Sequence, residues 1–184
     1  PYFCTLHSLA YKRLRLEAHE IMDELDYMEL CDMTGRKFVN KMKKGNGIDI
    51  SMPTAQSQYQ DTINLAYAKY PHDEDRLQKI FREVKLPDYG ARSTIMQMDK
   101  DLTNFKRDRH KLEYVDYFNS FLEMKNPPPL KYLFIDEAQD LSAHQWMVVD
   151  MIQNISKPIE TYVAGDDDQA IFRWAGADIE HFIA

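Results

Sequence analysis

The chain has 184 residues, 44% of them hydrophobic and 29% charged, with a formal net charge of −7, a balance that suits one globular domain or one domain carrying an insertion. No segment approaches the ~18 uninterrupted apolar residues of a membrane span, and the amino terminus lacks a charged-then-apolar export pattern, which points to a cytoplasmic protein with no membrane partner. Two cysteines, Cys4 and Cys31, lack metal-type spacing and are expected as reduced, buried thiols.

The chain opens with PYFCTL, which reads as a short strand. Ser8, followed by Leu9, Leu14, Leu16, Ile21, Met22 and Leu25, fits the start and apolar face of a helix of about four to five turns. A beginning on Pro1 and a strand, with no Met, implies a chain cut from something longer. From residue 26 onward the helical patterns RKFVNKMKK, TAQSQYQDTINLAYAKY and EDRLQKIFREV are separated by breakers at Gly45-Asn46-Gly47, Pro53, Pro71, Pro87 and Gly90. No strand pattern or internal repeat is evident there. Lys41, Lys43 and Lys44 suit nucleic-acid contact, and equally the solvated face of an amphipathic helix. Leu102, Phe105, Leu112, Val115, Phe118, Phe121 and Leu122 then follow at helical spacings until Asn126 and Pro127 to Pro129 stop the helix.

Two short apolar runs, YLFID and TYVAGD, dominate the remainder, and each ends in an acid where a strand would end. Their aromatic and β-branched content predicts buried strands, and the apolar pattern from Ser142 to Ile155 between them predicts a helix. That is a βαβ unit and so a parallel sheet. Ligands of open parallel sheets lie beyond the carboxyl ends of the strands, so Asp136, Glu137 and Asp166 are expected in one crevice.

Charge supports this location. From Leu130 to Ala184 there are three basic and ten acidic residues, so all of the net charge of −7 lies in this end while the rest of the chain balances. Clustered carboxylates near strand ends fit a divalent cation, whereas a phosphate backbone needs a basic surface. A hydrophobic strand ending in Asp-Glu is how nucleoside-triphosphatases hold Mg²⁺ through the first carboxylate and deprotonate water with the second. The GDDDQ run adds a glycine for a tight turn and Gln169, whose amide can hydrogen-bond a phosphate or a water beside the metal. In AIFRWAGAD, Phe172 and Trp174 flank Arg173. That interleaving suits single-strand stacking and phosphate pairing, although two such aromatics also suit a core.

Together, YLFIDEAQD and VAGDDDQAIFRWAGAD resemble the second and third motifs of superfamily 1 DNA helicases of the UvrD/Rep type, at fitting separation. TLHSLAYKRL, from Thr5 to Leu14, resembles the TFHSLA element of that family, and LEYVDYF, from Leu112 to Phe118, its DF-x-D-L-L element. The resemblance implies an α/β fold, a partial RecA-like parallel sheet of the P-loop NTPase type with a mainly helical insertion. Residues 1–25 and 102–184 would form the motor domain and 26–101 the insertion. It also implies ATP and Mg²⁺ as cofactors, single-stranded DNA and single/double-strand junctions as partners, 3′-to-5′ movement, and roles in replication or repair. Residue by residue, Asp136 would hold Mg²⁺, Glu137 would activate the attacking water, and Gln169 would sense the γ-phosphate. Phe172, Arg173 and Trp174 would line the single-strand path, with Thr5, His7 and Ser8 near the DNA backbone. Asp116 matches a recurrent acid of no assigned chemistry.

Departures from the family pattern set the remaining expectations. The six glycines, at 35, 45, 47, 90, 165 and 176, form no G-x-x-x-x-G-K-[ST] loop. The later motifs, with their second motor domain and its arginine, are absent too. Ala175 and Phe172 stand where many relatives carry a basic residue and a tyrosine. The expectation is a middle piece of an ATP-driven helicase that does not hydrolyse ATP by itself and needs the remainder of its chain. A non-catalytic DNA-binding or interaction module that kept the fold, and a different Mg²⁺-dependent enzyme such as a nuclease, are the alternatives.

Overall fold

The computed structural model describes residues 4–38, 55–86, 88–166, 168 and 177–183. Helices α1 (Leu6–Leu14), α2 (Glu24–Thr34), α3 (Ala55–Lys69), α4 (Arg76–Glu83), α5 (Ala91–Arg109) and α6 (Tyr114–Met124) precede strand β1 (Tyr132–Ile135), helix α7 (Ala143–Ser156), strand β2 (Glu160–Val163) and helix α8 (Ile179–Ile183). The chain divides into two compact units, one of Pro1–Leu16, Leu65–Arg76 and Glu113–Ala184, the other of Glu17–Asn64 and Leu77–Leu112.

The first unit contains the sheet. β1 and β2 pair in parallel with Tyr132 opposite Glu160 and Ile135 opposite Val163, and α7 makes the crossover between them. Ser142 starts α7, its hydroxyl accepting from the Gln145 N–H at 3.3 Å while the Gln145 side chain accepts from the Ser142 N–H at 2.8 Å. This reciprocal cap satisfies two backbone donors that the first turn leaves open. Ile135, Ala138, Trp146 and Val149 form a buried cluster flanked by Leu6, Leu133, Leu141 and Phe182. Helix α6 packs on both α1 and α7, burying Tyr117, Phe118 and Phe121.

Several expectations change. The strands are not buried throughout: in β1 Leu133 and Ile135 turn to the core, whereas Phe134 is 71% exposed and stacks on Tyr162 of β2 at 4.9 Å between ring centroids, and β2 is mostly exposed. The amino-terminal helix begins at Leu6, capped by Thr5, whose Oγ1 accepts from the Ser8 N–H at 3.1 Å. It stops at Arg15, in the left-handed region at φ 58°, where the N–H groups of Arg15 and Leu16 turn back to the carbonyls of Lys12 and Tyr11, a helix-ending motif that favours glycine but does not require it. Cys4 is exposed and Cys31 half-buried, and neither is in a disulfide.

The second unit is helical in its described residues. Asp23 caps α2 by accepting from the N–H groups of Leu25 and Asp26, while Asp26 accepts from the Asp23 N–H at 2.9 Å. Helix α2 packs on α5, and Leu30, Ile80, Phe81, Ile95, Met98 and Leu102 are buried. The continuous helical spacing through residues 102–125 conceals a break. Helix α5 ends at His110, φ 54°, and α6 begins anew at Tyr114.

Candidate active site

The registered pairing of the two strands brings their carboxyl ends side by side. Beyond the sheet, the Ala164 N–H donates to the Ile135 carbonyl at 2.8 Å and the Ala138 N–H to the Ala164 carbonyl at 3.0 Å. The segment after β1, which carries Asp136 and Glu137, is thus tied to the segment after β2, which carries Asp166 and Asp168.

Asp136 is exposed, and its Oδ1 accepts from the Glu137 N–H at 3.0 Å. Glu137, also exposed, sits in the left-handed region at φ 53°, ψ 40° and opens a 3₁₀ turn over Ala138–Asp140. A non-glycine residue there costs on the order of 1 kcal/mol or more. The sharp reversal stops the strand at the acidic pair and turns the chain down into the core at Ala138.

The side chain of Gln139 completes the arrangement. It is 2% exposed; its Nε2 donates to Glu137 Oε2 at 2.7 Å and its Oε1 accepts from the Asp166 N–H at 3.1 Å. Gly165 is needed here for space, not for a positive φ. A Cβ at that position would lie 2.5 Å from Gln139 Oε1 and 2.9 Å from the Phe182 ring. Sequence reading assigned Gly165 to turn geometry and passed over Gln139, because nothing in the order of residues shows that an amide two places after Glu137 is buried and reaches the neighbouring strand's exit.

The donor set fits Mg²⁺. Among the described residues no three His, Cys, Asp or Glu side chains converge as a metal cage. Mg²⁺ in phosphoryl-transfer sites characteristically takes one or two carboxylates and fills its octahedron with phosphate oxygens and water, and an exposed Asp136 beside Glu137 offers that.

The other predicted residues divide in two groups. Gln169, Phe172, Arg173 and Trp174 lie outside the described residues. Thr5 is exposed as the α1 cap, with Ser8 half-buried behind it. His7 packs its ring 4.3 Å from Phe118 and 4.7 Å from Tyr114, and burial lowers its pKa to about 4, so it is neutral. Asp116 acquires a role: its Oδ2 accepts from the Glu113 N–H at 2.7 Å, capping α6.

A parallel βαβ unit with an acidic pair at its strand end and helices around it is an α/β fold of the partial RecA-like type. The chain belongs to the UvrD/REP helicase family, whose N-terminal domain profile matches residues 1–184. It is similar to the ATP-dependent DNA helicase PcrA of Staphylococcus epidermidis, with 26% identity over 196 residues that take in 100% of this chain and 25% of that protein. It also resembles the ATP-dependent DNA helicase Rep of Buchnera aphidicola, 40% identical over 53 residues, 29% of this chain and 8% of that one. A third relative is DNA helicase II of Rickettsia typhi, 34% identical over 73 residues, 36% and 11% of the respective chains. The chain thus spans about a quarter of the length of the PcrA relative. Among the described residues no helix is long and apolar enough to cross a membrane.

Proposed function

We propose that this chain supplies the metal-binding and water-activating part of an ATP-driven DNA helicase that moves 3′ to 5′ on single-stranded DNA. The observation that carries the reading is the Asp136-Glu137 pair at the carboxyl end of a parallel strand, with the Glu137 carboxylate fixed by a buried amide. Asp136 supplies a carboxylate oxygen to Mg²⁺, and Glu137 takes the proton from the water that attacks the γ-phosphate. Bound Mg²⁺ would neutralise charge on the transferred phosphoryl group. Gln169 senses the γ-phosphate, and Phe172, Arg173 and Trp174 grip the single strand. Thr5 and Ser8 lie near the DNA backbone; His7, being neutral and packed in aromatics, contributes shape rather than charge.

In this reading residues 1–25 and 102–184 belong to the motor domain and 26–101 to its insertion. The phosphate-cradling loop and the second motor domain come from the rest of the parent chain, and the 184 residues alone do not turn over ATP. The test uses the complete protein: ATP hydrolysis should be stimulated by a single-stranded oligonucleotide, and Trp174→Ala should weaken binding of that oligonucleotide by ~1–3 kcal/mol, the range for a base-stacking aromatic. DNA binding without hydrolysis would instead identify a non-catalytic binding module. Unchanged affinity in Trp174→Ala would place Trp174 in the core.

A further inference from the structure

Gln139 uses both ends of its amide within the candidate site, and it does so while almost fully buried. A buried amide is costly unless its donors and acceptor are satisfied. Here the oxygen faces the Asp166 N–H and the nitrogen faces the Glu137 carboxylate. The reverse orientation would set oxygen against carboxylate and NH₂ against N–H, so the partners fix the amide in one sense. Gly165 permits this close approach, since any side chain there would collide with Gln139 Oε1 and Phe182.

Three hydrogen bonds tie the exit of β2 to the exit of β1. Two are backbone to backbone, through Ala164 to Ile135 and Ala138. The third runs through the Gln139 side chain and continues to the Glu137 carboxylate. We infer that Gln139 is a positioning residue that couples the Asp166 backbone, just past β2, to the Glu137 carboxylate, so that displacement of the Asp166 backbone moves the group that activates water. This rests on the reading of Glu137 as the general base. It gives the backbone at Asp166 a direct mechanical connection to the carboxylate at the exit of the neighbouring strand.

The test is Gln139→Met in the complete protein, which keeps side-chain length and removes both polar atoms. Turnover of ATP in the presence of a single-stranded oligonucleotide should fall about 10- to 100-fold, the range for residues that orient a reacting group, while KM for Mg-ATP stays within about threefold. Hydrogen exchange without nucleotide should quicken in the peptide covering Ala164–Asp168 and stay unchanged in α7. Added to Glu137→Gln, the substitution should cause no further loss in single-turnover rate, because both act on one group. Should Gln139→Met fail to fold, Gly165→Ala displaces the amide from the opposite side and is expected to reproduce the same kinetic pattern. Normal turnover in a folded variant, losses that multiply in the double variant, or equal acceleration of exchange in α7 would overturn the positioning role. If Glu137→Gln itself leaves turnover intact, the assignment of the base falls and the positioning role with it; a dead Glu137→Gln beside a fully active Gln139→Met removes the positioning role alone.

Discussion

The second unit supplements its apolar core with ion pairs, whereas ring contacts that include histidines join the helices of the unit that carries the acidic strand end. In the second unit Lys111 Nζ lies 2.8 Å from Asp26, Arg36 lies 2.7 Å from Asp101, and Arg109 pairs with Glu29. In the first, His7 packs on Phe118, Phe118 lies edge-on to His144 at 5.4 Å, and Trp146 stacks on His181 at 4.6 Å. Among the described residues Asp136 and Glu137 have no cationic partner; their hydrogen bonds come from a backbone N–H and an amide. The difference teaches that the acidic pair is kept clear of the protein's own cations, so its surroundings are held by packing and by hydrogen bonds to backbone and amide groups.

This contrast predicts opposite weaknesses. The largest effect is expected from acid. Burial lowers the pKa of His144 to about 4, with further lowering from His72, His7 and Arg76, and burial alone takes His7 to about 4. An unfolded histidine titrates near 6.5. Between those values the unfolded state binds protons that the folded state excludes, so stability falls as pH drops from ~6.5 toward ~4 and is unaffected above that window. The limiting slope is ~1.4 kcal/mol per pH unit for each histidine, and less for the half-exposed His7. Hydrogen exchange corrected for its intrinsic pH dependence should show α6 and α7 opening more readily at pH 5 than at pH 7, with α5 changing little. His144→Leu should flatten the response, and an equal response in α5 would erase the distinction between the units.

A smaller effect, confined to the second unit, is expected from Lys111→Met. It leaves Asp26 partly buried without its cation, at a cost of ~2 kcal/mol, below the 3–5 kcal/mol of a fully buried pair. Exchange should quicken in α2 and α5 and not in α7. A variant as stable as the parent would show that the Asp26 carboxylate is held by the α2 capping box alone.

Much of the site-bearing part was legible in sequence because periodicity and chemistry agreed there. YLFID and TYVAGD read as apolar runs of strand length, the apolar pattern from Ser142 to Ile155 reads as α7, and that helical connection makes the pairing parallel. Breaks without glycine or proline were not legible. Arg15 and His110 end helices in the left-handed region, and apolar spacing continues across both, so periodicity reads through them. Thr5 rather than Ser8 caps α1, a shift that side-chain hydrogen bonding decides and residue type does not. Gln139 was hidden for a different reason. Its importance comes from a contact with Asp166, 27 residues away, and from the space that Gly165 leaves for it. Neither can be read along the chain, whereas the acidic pair that it serves could be.

The central claim is that Glu137 activates water for ATP hydrolysis, and Glu137→Gln in the complete protein tests it most directly. The substitution keeps the side chain's length and its backbone conformation while removing the base. Mg-ATP binding should remain within about threefold of the parent, and DNA-stimulated turnover should fall by about two to four orders of magnitude, the contribution of a general base. Turnover within a few-fold of the parent, with binding intact, would contradict the account.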